Sequence, residues 1–207
     1  MALLFEEKVT RNKEAFIDKV KSISAKLLIE PDWLMAVMYK ESGLNEKAVN
    51  PNGGATGLIQ FMPATAKSLG TTTAALKAMS NVEQLDYVYK YYKPYITKLN
   101  SYPDLYLATF FPVALGKSDD WVLQTSTLSA RTIARANPVI DLNKDDKITV
   151  GEFKQYCYNK FDAATQARLK KKNMNREVIK YTLIAMGVIT AVLAAYYLYL
   201  LYKEKKA

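Results

Sequence analysis

The sequence predicts a mainly α-helical protein in which one globular domain is followed by a single transmembrane helix. Apolar residues recur at helical spacing through residues 5–30, and no convincing β-hairpin pattern is present. Half of the 207 residues are hydrophobic, which is enough to bury the core of one domain. Residues 181–202 carry no charge, and a helix of that length spans roughly 33 Å, matching a bilayer core of roughly 30 Å.

The helices are predicted in the following order. After the first helix at 5–30, a second begins at Pro31, because proline is tolerated in the first turn, and ends at Gly43, the usual left-handed terminator. A loop at 50–57 precedes a short helix from Pro63 to about Leu69, and further helices are predicted at 73–99 and 103–116. The predicted organisation is a globular domain at 1–160, a basic linker at 161–180, a transmembrane helix at 181–202 and a basic tail at 203–207.

Composition excludes several classes of function. The chain has no histidine, so Ser-His and Cys-His hydrolases and most zinc enzymes are excluded, and Cys157 alone cannot form an internal disulfide. The net charge of +9 suggests nucleic acid at first sight, but residues 161–207 hold nine Lys/Arg against three Asp/Glu and so supply two thirds of the excess. A basic segment beside an apolar span favours anionic lipid, and no nucleic-acid partner is expected.

Glu41 is the candidate catalytic residue. It follows Val37 and Met38 by four and three positions, which places its carboxylate on the core-facing side of the last turn of the second helix. Partial desolvation there would raise the pKa of the carboxyl group, as a general acid working near neutral pH requires.

The segment that follows carries a family resemblance. Residues 41–66, ESGLNEKAVNPNGGATGLIQFMPATA, resemble the goose-type-lysozyme-like lytic transglycosylases, whose signature is Glu-Ser, a polar loop, Gly-Leu-Met-Gln, Met-Pro and Thr-Ala. The only departure in these elements is Ile59 in place of methionine. Further segments resemble a phage-associated branch of that family, so the resemblance covers residues 33–153 and implies a lysozyme-like fold.

The third motif of the family departs more. Many members have Ala-Tyr-Asn-Ala-Gly where this chain has ATFFP from Ala108 to Pro112, so Phe110 can supply an aromatic wall but no hydroxyl or amide. A tyrosine of the run 87–95 is therefore expected to contact Glu41, and the sequence does not rank Tyr87, Tyr89 and Tyr91.

The resemblance implies cleavage of the bond between N-acetylmuramic acid and N-acetylglucosamine, with Glu41 as acid and then base and a 1,6-anhydro sugar as product. An internal hydroxyl attacks, so the second carboxylate of ordinary glycosidases and any catalytic cofactor are not required. Ser42 is expected to orient Glu41. The expected glycan-binding residues are Ser42, Gly57, Leu58, Ile59, Gln60, Met62 and Phe110.

A second motif lies at residues 141–152, where oxygen donors and a final glutamate have the spacing of an EF-hand calcium loop. Asp146 stands at the position that normally holds glycine. The alternatives are a structural Ca²⁺ site and an ion-free acidic turn. The expected metal ligands are Asp141, Asn143, Asp145, Lys147, Thr149 and Glu152.

These observations predict a muralytic enzyme of a bacteriophage. A cellular transglycosylase would need a signal peptide or a lipid anchor to reach the wall, and the N-terminus does not resemble a secretory signal. The protein is expected to be anchored by a single membrane span, either in a virion membrane or in the host envelope. In the virion, local wall digestion would aid genome entry. Peptidoglycan strands, the lipid bilayer and other virion membrane or capsid proteins are the expected partners. The alternatives are a goose-type lysozyme hydrolase, a phage lysis enzyme, and a membrane structural protein with an inactive transglycosylase fold.

Overall fold

The protein is represented by a computed structural model that describes residues 2–171 together with Val178, Thr182 and Thr190. Within these residues the regular structure is helical, and backbone pairing between extended segments is limited to isolated β-bridges. The α-helices are α1 (Lys13–Leu27), α2 (Pro31–Ser42), α3 (Pro63–Ser68), α4 (Thr73–Ala78), α5 (Asn81–Tyr92), α6 (Tyr102–Phe110), α7 (Ala130–Ala136), α8 (Val150–Asn159) and α9 (Ala163–Leu169). Short 3₁₀ helices occupy Glu6–Lys8, Lys93–Lys98 and Pro112–Ala114.

The predicted first helix is shorter than expected. A 3₁₀ turn covers Glu6–Lys8 and α1 begins only at Lys13, after Asn12 in a left-handed conformation. The reason is a tertiary contact, because Asn81 donates to the Arg11 carbonyl at 2.7 Å and accepts from the Asn12 side chain at 3.2 Å. The backbone between the two helical pieces is thus held by α5 instead of continuing the helix.

Helix α2 is the central element, and its predicted bounds are confirmed. It begins with Pro31, and Gly43 follows its end at φ 64°, donating to the carbonyls of Met38 and Tyr39. Its residues 33–38 are all buried, so α2 is enclosed on every side, with α1, α6 and α9 among the helices packed against it. Burial of this helix fixes the direction in which its last turn, carrying Glu41, leaves the core.

The other predicted helices are divided by local signals. The segment 73–99 separates into α4, α5 and a 3₁₀ helix, because Ser80 caps α5 by accepting from the Glu83 backbone while the Glu83 carboxylate accepts in return. The segment 103–116 stops being α-helical at Phe110, since Pro112 has no N–H group to continue the helical hydrogen bonds. The second division shortens α6, which packs against α2.

The globular part extends beyond the predicted boundary at residue 160, since the first compact unit ends at Lys171. Leu169 of α9 is completely buried. The Arg168 guanidinium donates from two nitrogens to the Asp32 carboxylate, both at 2.8 Å, and also to the Ala2 carbonyl at 2.7 Å. Residues up to 171 are therefore packed on the N-terminal end of α2 and do not form a linker.

The predicted fold class is wrong in its transmembrane helix. Among the residues that the structure describes, no helix is long and apolar enough to cross a membrane. The longest of these, α1, has 15 residues and a length of about 22 Å, which is shorter than a bilayer core. The predicted span 181–202 and tail 203–207 lie outside the described residues, apart from Thr182 and Thr190.

Candidate active site

Glu41 lies on the last turn of α2 and is partly buried. Burial raises the pKa of its carboxyl group to about 7, because desolvation disfavours the charged form. A side-chain hydrogen bond from Tyr106 and the charge of Lys40 both favour the carboxylate and limit this rise. Glu41 therefore has the property expected from its position, namely a proton that it can both give and take near neutral pH.

The tyrosine that bonds Glu41 was missed by the sequence prediction. Tyr106 belongs to α6, one turn before Thr109, and is only 8% exposed. Helix α6 packs against α2, the helix that carries Glu41. The available signal was the spacing of Tyr102, Tyr106 and Phe110 at intervals of four, which places the three rings on one face of a helix.

The three tyrosines that the sequence left unranked have different positions. Tyr91 lines the candidate pocket, and Glu41 is among the charges that raise the pKa of its hydroxyl, although desolvation is the main cause. Its hydroxyl donates to the Ala108 carbonyl at 2.7 Å. Tyr87 and Tyr89 instead lie under lysine ammonium groups, 4.6 Å and 5.9 Å from ring centroid to nitrogen. Of these three tyrosines, Tyr91 is thus the one that belongs to the site.

The Gly57–Gln60 segment forms a tight turn that the Ser42 hydroxyl joins to the last turn of α2. Thr56 and Phe61 pair across its base, with backbone hydrogen bonds of 3.0 Å and 2.8 Å. Gly57 and Gln60 both have positive φ, at 82° and 53°. The Gln60 amide donates to the Gly57 carbonyl at 3.1 Å and to the Ala48 carbonyl at 3.4 Å, so its side chain closes the turn on which it lies.

Gln84 holds this turn in place and was not predicted. Its side chain is fully buried, and its Oε1 accepts from the Leu58 N–H at 3.0 Å. Its Nε2 donates to the carbonyls of Glu46 and Leu76, both at 2.7 Å. A Cβ on Gly57 would lie 2.3 Å from Gln84 Oε1, so only glycine fits at that position. The sequence carried no signal for Gln84, because a glutamine on an amphipathic helix is ordinarily solvated.

Ser42 has a different contact from the expected one. Its hydroxyl lies 3.0 Å from both the Met38 carbonyl and the Leu58 carbonyl and donates to them. The serine therefore joins the last turn of α2 to the Gly57–Gln60 turn. It positions the two elements of the site relative to each other, and its described hydrogen bonds do not reach the Glu41 carboxylate.

A pocket beside the turn brings together several predicted and several unexpected residues. Met62 is 49% exposed and offers an apolar edge to solvent, whereas Leu58 is completely buried and packs in the core. The Phe110 ring stacks on Phe153 with centroids 5.0 Å apart and is not among the pocket residues. The pocket is lined by Ile59, Gln60, Phe61, Met62, Thr65, Tyr91 and Thr109.

The 141–152 loop is ordered by hydrogen bonds from its own backbone. The Asp141 carboxylate accepts from the N–H groups of Asp145 and Asp146, at 3.2 Å and 3.1 Å, and Glu152 accepts from the Asn143 N–H at 3.3 Å. Asp146 has φ 64°, so it adopts the left-handed conformation for which the motif ordinarily uses glycine. Helix α8 then begins after Thr149, whose hydroxyl donates to Glu152 at 2.9 Å.

The remaining expected ligands contribute to the same arrangement. The Asn143 side chain accepts from the Asp145 N–H at 3.0 Å, and Asp145 accepts from the Lys147 N–H at 3.0 Å. Arg131 and Arg135 pair with Asp146 at 3.5 Å and 3.4 Å. Within residues 2–171 and the three isolated described positions, no group of three or more His, Cys, Asp or Glu side chains is arranged to hold a metal ion. Calcium binding stays a prediction.

The comparison with protein families agrees with the residues around Glu41. The matched region runs from α1 to the residue before α6 and contains Glu41, the Gly57–Gln60 turn, Gln84 and Tyr91, whereas Tyr106 and the 141–152 loop lie beyond it. Residues 18–101 match the family model described as Transglycosylase SLT domain, and this match supports the predicted similarity to the lytic transglycosylases.

Proposed function

We propose that the protein is a peptidoglycan lytic transglycosylase in which Glu41 serves first as general acid and then as general base. The observation that carries this proposal is a carboxyl group whose pKa is raised to about 7 by burial at the end of a helix, inside a region similar to SLT transglycosylases. The family similarity makes peptidoglycan the substrate class.

The proposed reaction uses a single carboxyl group. Protonated Glu41 donates its proton to the glycosidic oxygen between N-acetylmuramic acid and N-acetylglucosamine, and the bond from that oxygen to the anomeric carbon breaks. The 6-hydroxyl of the muramoyl residue then bonds to the anomeric carbon, and the Glu41 carboxylate takes its proton. Glu41 is regenerated, no water is consumed, and the product carries a 1,6-anhydro end.

The neighbouring residues support each stage of this sequence. Desolvation leaves a large fraction of Glu41 protonated near neutral pH before the reaction, and the hydrogen bond from Tyr106 stabilises the carboxylate that exists between the two proton transfers. Ser42 and Gln84 hold the Gly57–Gln60 turn against α2 and α5, so the pocket wall stays in place while a glycan strand binds.

The test compares Glu41→Gln with Glu14→Gln, which makes the same chemical change at an exposed position of α1. Because the amide can neither give nor take the proton, we expect Glu41→Gln to lower the rate of cleavage of purified peptidoglycan by about 10²–10⁴-fold. Glu14→Gln should retain the wild-type rate. A Glu41→Gln rate within about threefold of wild type would remove Glu41 from the mechanism.

Mass analysis of the soluble fragments separates the proposal from its alternatives. A transglycosylase releases muramoyl ends that are lighter by one water than the reducing ends left by a hydrolase of the goose-lysozyme kind. Reducing ends alone would replace the proposed reaction with hydrolysis. If the wild-type protein releases no fragments at all, an inactive structural protein is the better interpretation.

We further propose that the wall being cut is that of a bacterium infected by a phage. This rests on the resemblance of the segments up to residue 153 to the phage-associated branch of the family. Detection of the chain in purified virions, with a muralytic band at its mass in a zymogram, would support a role in genome entry. Its presence in infected-cell lysates but not in virions would support a lysis role instead.

A structural Ca²⁺ in the 141–152 loop is a separate proposal, supported by the oxygen donors at EF-hand spacing and by the left-handed conformation of Asp146. Calcium that binds only the folded loop should increase the free energy of unfolding by about 2.7 kcal/mol when its concentration is 100 times the dissociation constant. The melting temperature should rise accordingly. The calcium-induced increment should disappear in Asp141→Ala and persist in Asp18→Ala, which changes an exposed carboxylate of α1. Equal melting temperatures with and without millimolar calcium in the wild type would contradict the site.

A further inference from the structure

Lys40 precedes Glu41 and has an enclosed ammonium group. Its Nζ is buried and has no hydrogen-bond partner among the residues that the structure describes. Three aromatic rings surround it instead. The Nζ lies 4.4 Å from the ring centroid of Tyr156, 5.3 Å from that of Phe161 and 5.6 Å from that of Tyr106.

This environment is unusual for a lysine. An ammonium that leaves water is destabilised unless it finds compensating interactions, and burial accordingly lowers the pKa of Lys40. The electron-rich faces of the three rings attract the cation and offset part of that cost. The Glu41 carboxylate also favours the charged form of Lys40. The cage thus keeps a positive charge close to Glu41 without pairing it to a carboxylate in a direct salt bridge.

Tyr106 connects the cage to the candidate catalytic residue. The face of its ring is one wall of the cage around the Lys40 ammonium, and its hydroxyl bonds Glu41. A cation at the face of a phenol ring withdraws electron density from it, which makes the hydroxyl a stronger hydrogen-bond donor. Lys40 can therefore act on Glu41 in two ways, directly through its charge and indirectly through the Tyr106 hydroxyl.

We propose that Lys40 is a positioning residue of the site: held as an ammonium by Tyr106, Tyr156 and Phe161, it strengthens the Tyr106 hydrogen bond and stabilises the Glu41 carboxylate. Its importance for cleavage rests on the proposed role of Glu41. In that mechanism Lys40 limits the energy of the carboxylate that exists after the glycosidic oxygen has been protonated, without touching the substrate.

The other ionisable groups near the pair come from α5, from α8 and from the residue that follows α8. Helix α5 contributes Tyr91 and Tyr92, whose neutral hydroxyls interact with Glu41. Helix α8 contributes Cys157, and burial raises the pKa of this thiol, which keeps it neutral. Lys160, which follows α8, is a second positive charge and opposes protonation of Lys40. Among the groups that shift the pKa of Glu41, Lys40 is the one that carries a positive charge.

The test follows the titration of the Glu41 side-chain carboxyl by NMR in the full chain labelled with ¹³C-glutamate. The variants are Lys40→Met, which keeps the length of the side chain but removes the charge, and Lys90→Met. Lys90 is a matched control, because its ammonium lies 4.6 Å from the Tyr87 ring centroid on the exposed side of α5. Both variants lose one positive charge and the contact of an ammonium with tyrosine, which is with Tyr106 and Tyr156 for Lys40 and with Tyr87 for Lys90.

We expect the Glu41 titration midpoint to rise by about half a pH unit or more in Lys40→Met and to stay unchanged in Lys90→Met. Since removing a buried charge without hydrogen bonds relieves a destabilising interaction, Lys40→Met is expected to fold. A midpoint that is unchanged or lower in Lys40→Met, or equally raised in Lys90→Met, would overturn the proposal.

A second measurement uses wild-type protein and does not depend on the folding of a variant. The ¹⁵N signal of the Lys40 side chain should be that of an ammonium at pH 7, and its shift should follow the titration of Glu41. A neutral amine at pH 7 would overturn the proposal. Neither readout requires glycan cleavage, so a protein that shows both effects but cleaves no peptidoglycan would refute the proposed function and leave the coupling of Lys40 and Glu41 intact.

Discussion

Replacing Gly57 by alanine tests whether the Gly57–Gln60 turn is held by the contacts described above. Gly57 has φ 82°, and an added Cβ would lie 2.3 Å from Gln84 Oε1, 3.0 Å from its Cδ and 3.1 Å from its Nε2. The 2.3 Å distance is too short for any Cβ contact, so the Gln84 amide must move. Gln84 is fully buried and bonded to three backbone groups, which leaves it no alternative position with the same partners.

The expected loss of stability has two parts. An alanine in the left-handed conformation costs about 1–2 kcal/mol. Displacing Gln84 leaves the Leu58 N–H buried without its acceptor, and an unsatisfied buried group costs about 1–3 kcal/mol. We therefore expect Gly57→Ala to lower the free energy of unfolding by about 2–5 kcal/mol.

Two other glycines separate these contributions. Gly43 has φ 64°, and a Cβ there would meet nothing within 4 Å, so Gly43→Ala should show only the conformational cost of about 1–2 kcal/mol. Gly53 is outside the left-handed region, and its Cβ would make an ordinary 3.8 Å contact with the Met62 Cε, so Gly53→Ala should change stability by less than about 0.5 kcal/mol.

The assay is urea unfolding of the three full-length variants followed by far-ultraviolet circular dichroism, together with the rate of peptidoglycan cleavage. Gly57→Ala should be the least stable, and its cleavage rate should fall most because Ile59 and Gln60 of the pocket move with the turn. The reasoning is refuted if Gly57→Ala is no less stable than Gly43→Ala, since the Gln84 contact would then contribute nothing.

Two further predictions follow from the site and the domain boundary. Because the pKa of Glu41 is about 7 and its protonated form is the proposed acid, kcat/KM should fall by about tenfold per pH unit above pH 7. Tyr106→Phe removes a hydrogen bond that favours the carboxylate, so it should move this decline to higher pH. A flat profile of kcat/KM from pH 6 to 9 would contradict the assignment. A chain ending at residue 165 loses the buried Leu169 and the Arg168 ion pair. Its free energy of unfolding in urea should therefore be about 2–4 kcal/mol lower than that of a chain ending at residue 171. Equal urea midpoints for the two chains would show that α9 contributes no stability.

Local sequence signals were sufficient for the position of Glu41. Pro31 and Gly43 mark the two ends of α2, and the apolar residues between them place the carboxylate on the last turn, where the structure has it. The family motif likewise singled out the residues of the Gly57–Gln60 turn. These features depend on residues close to one another along the chain, so they could be predicted without knowing the packing.

Other predictions were wrong because they treated local patterns as independent of packing. The first helix was expected to start near residue 5, but Asn81 bonds the backbone at Arg11 and interrupts it. Ser42 was expected to orient Glu41, but the Leu58 carbonyl is within reach of its hydroxyl once the turn folds back. Phe110 stacks on Phe153 of α8, and its expected contact with the glycan stays a prediction.

What the sequence by itself determined was the catalytic candidate and the glycine-containing motif that follows it, because helix caps, a core-facing carboxylate and such a motif are encoded within a few residues. What only the tertiary structure decided was which side chains complete the site. Gln84 reaches Leu58 across 26 residues, and Tyr106 reaches Glu41 from α6, a helix that begins beyond the matched family region. Their roles depend on the burial of α2 between other helices, since a buried N–H and a desolvated carboxylate need partners that helix packing alone can bring to them.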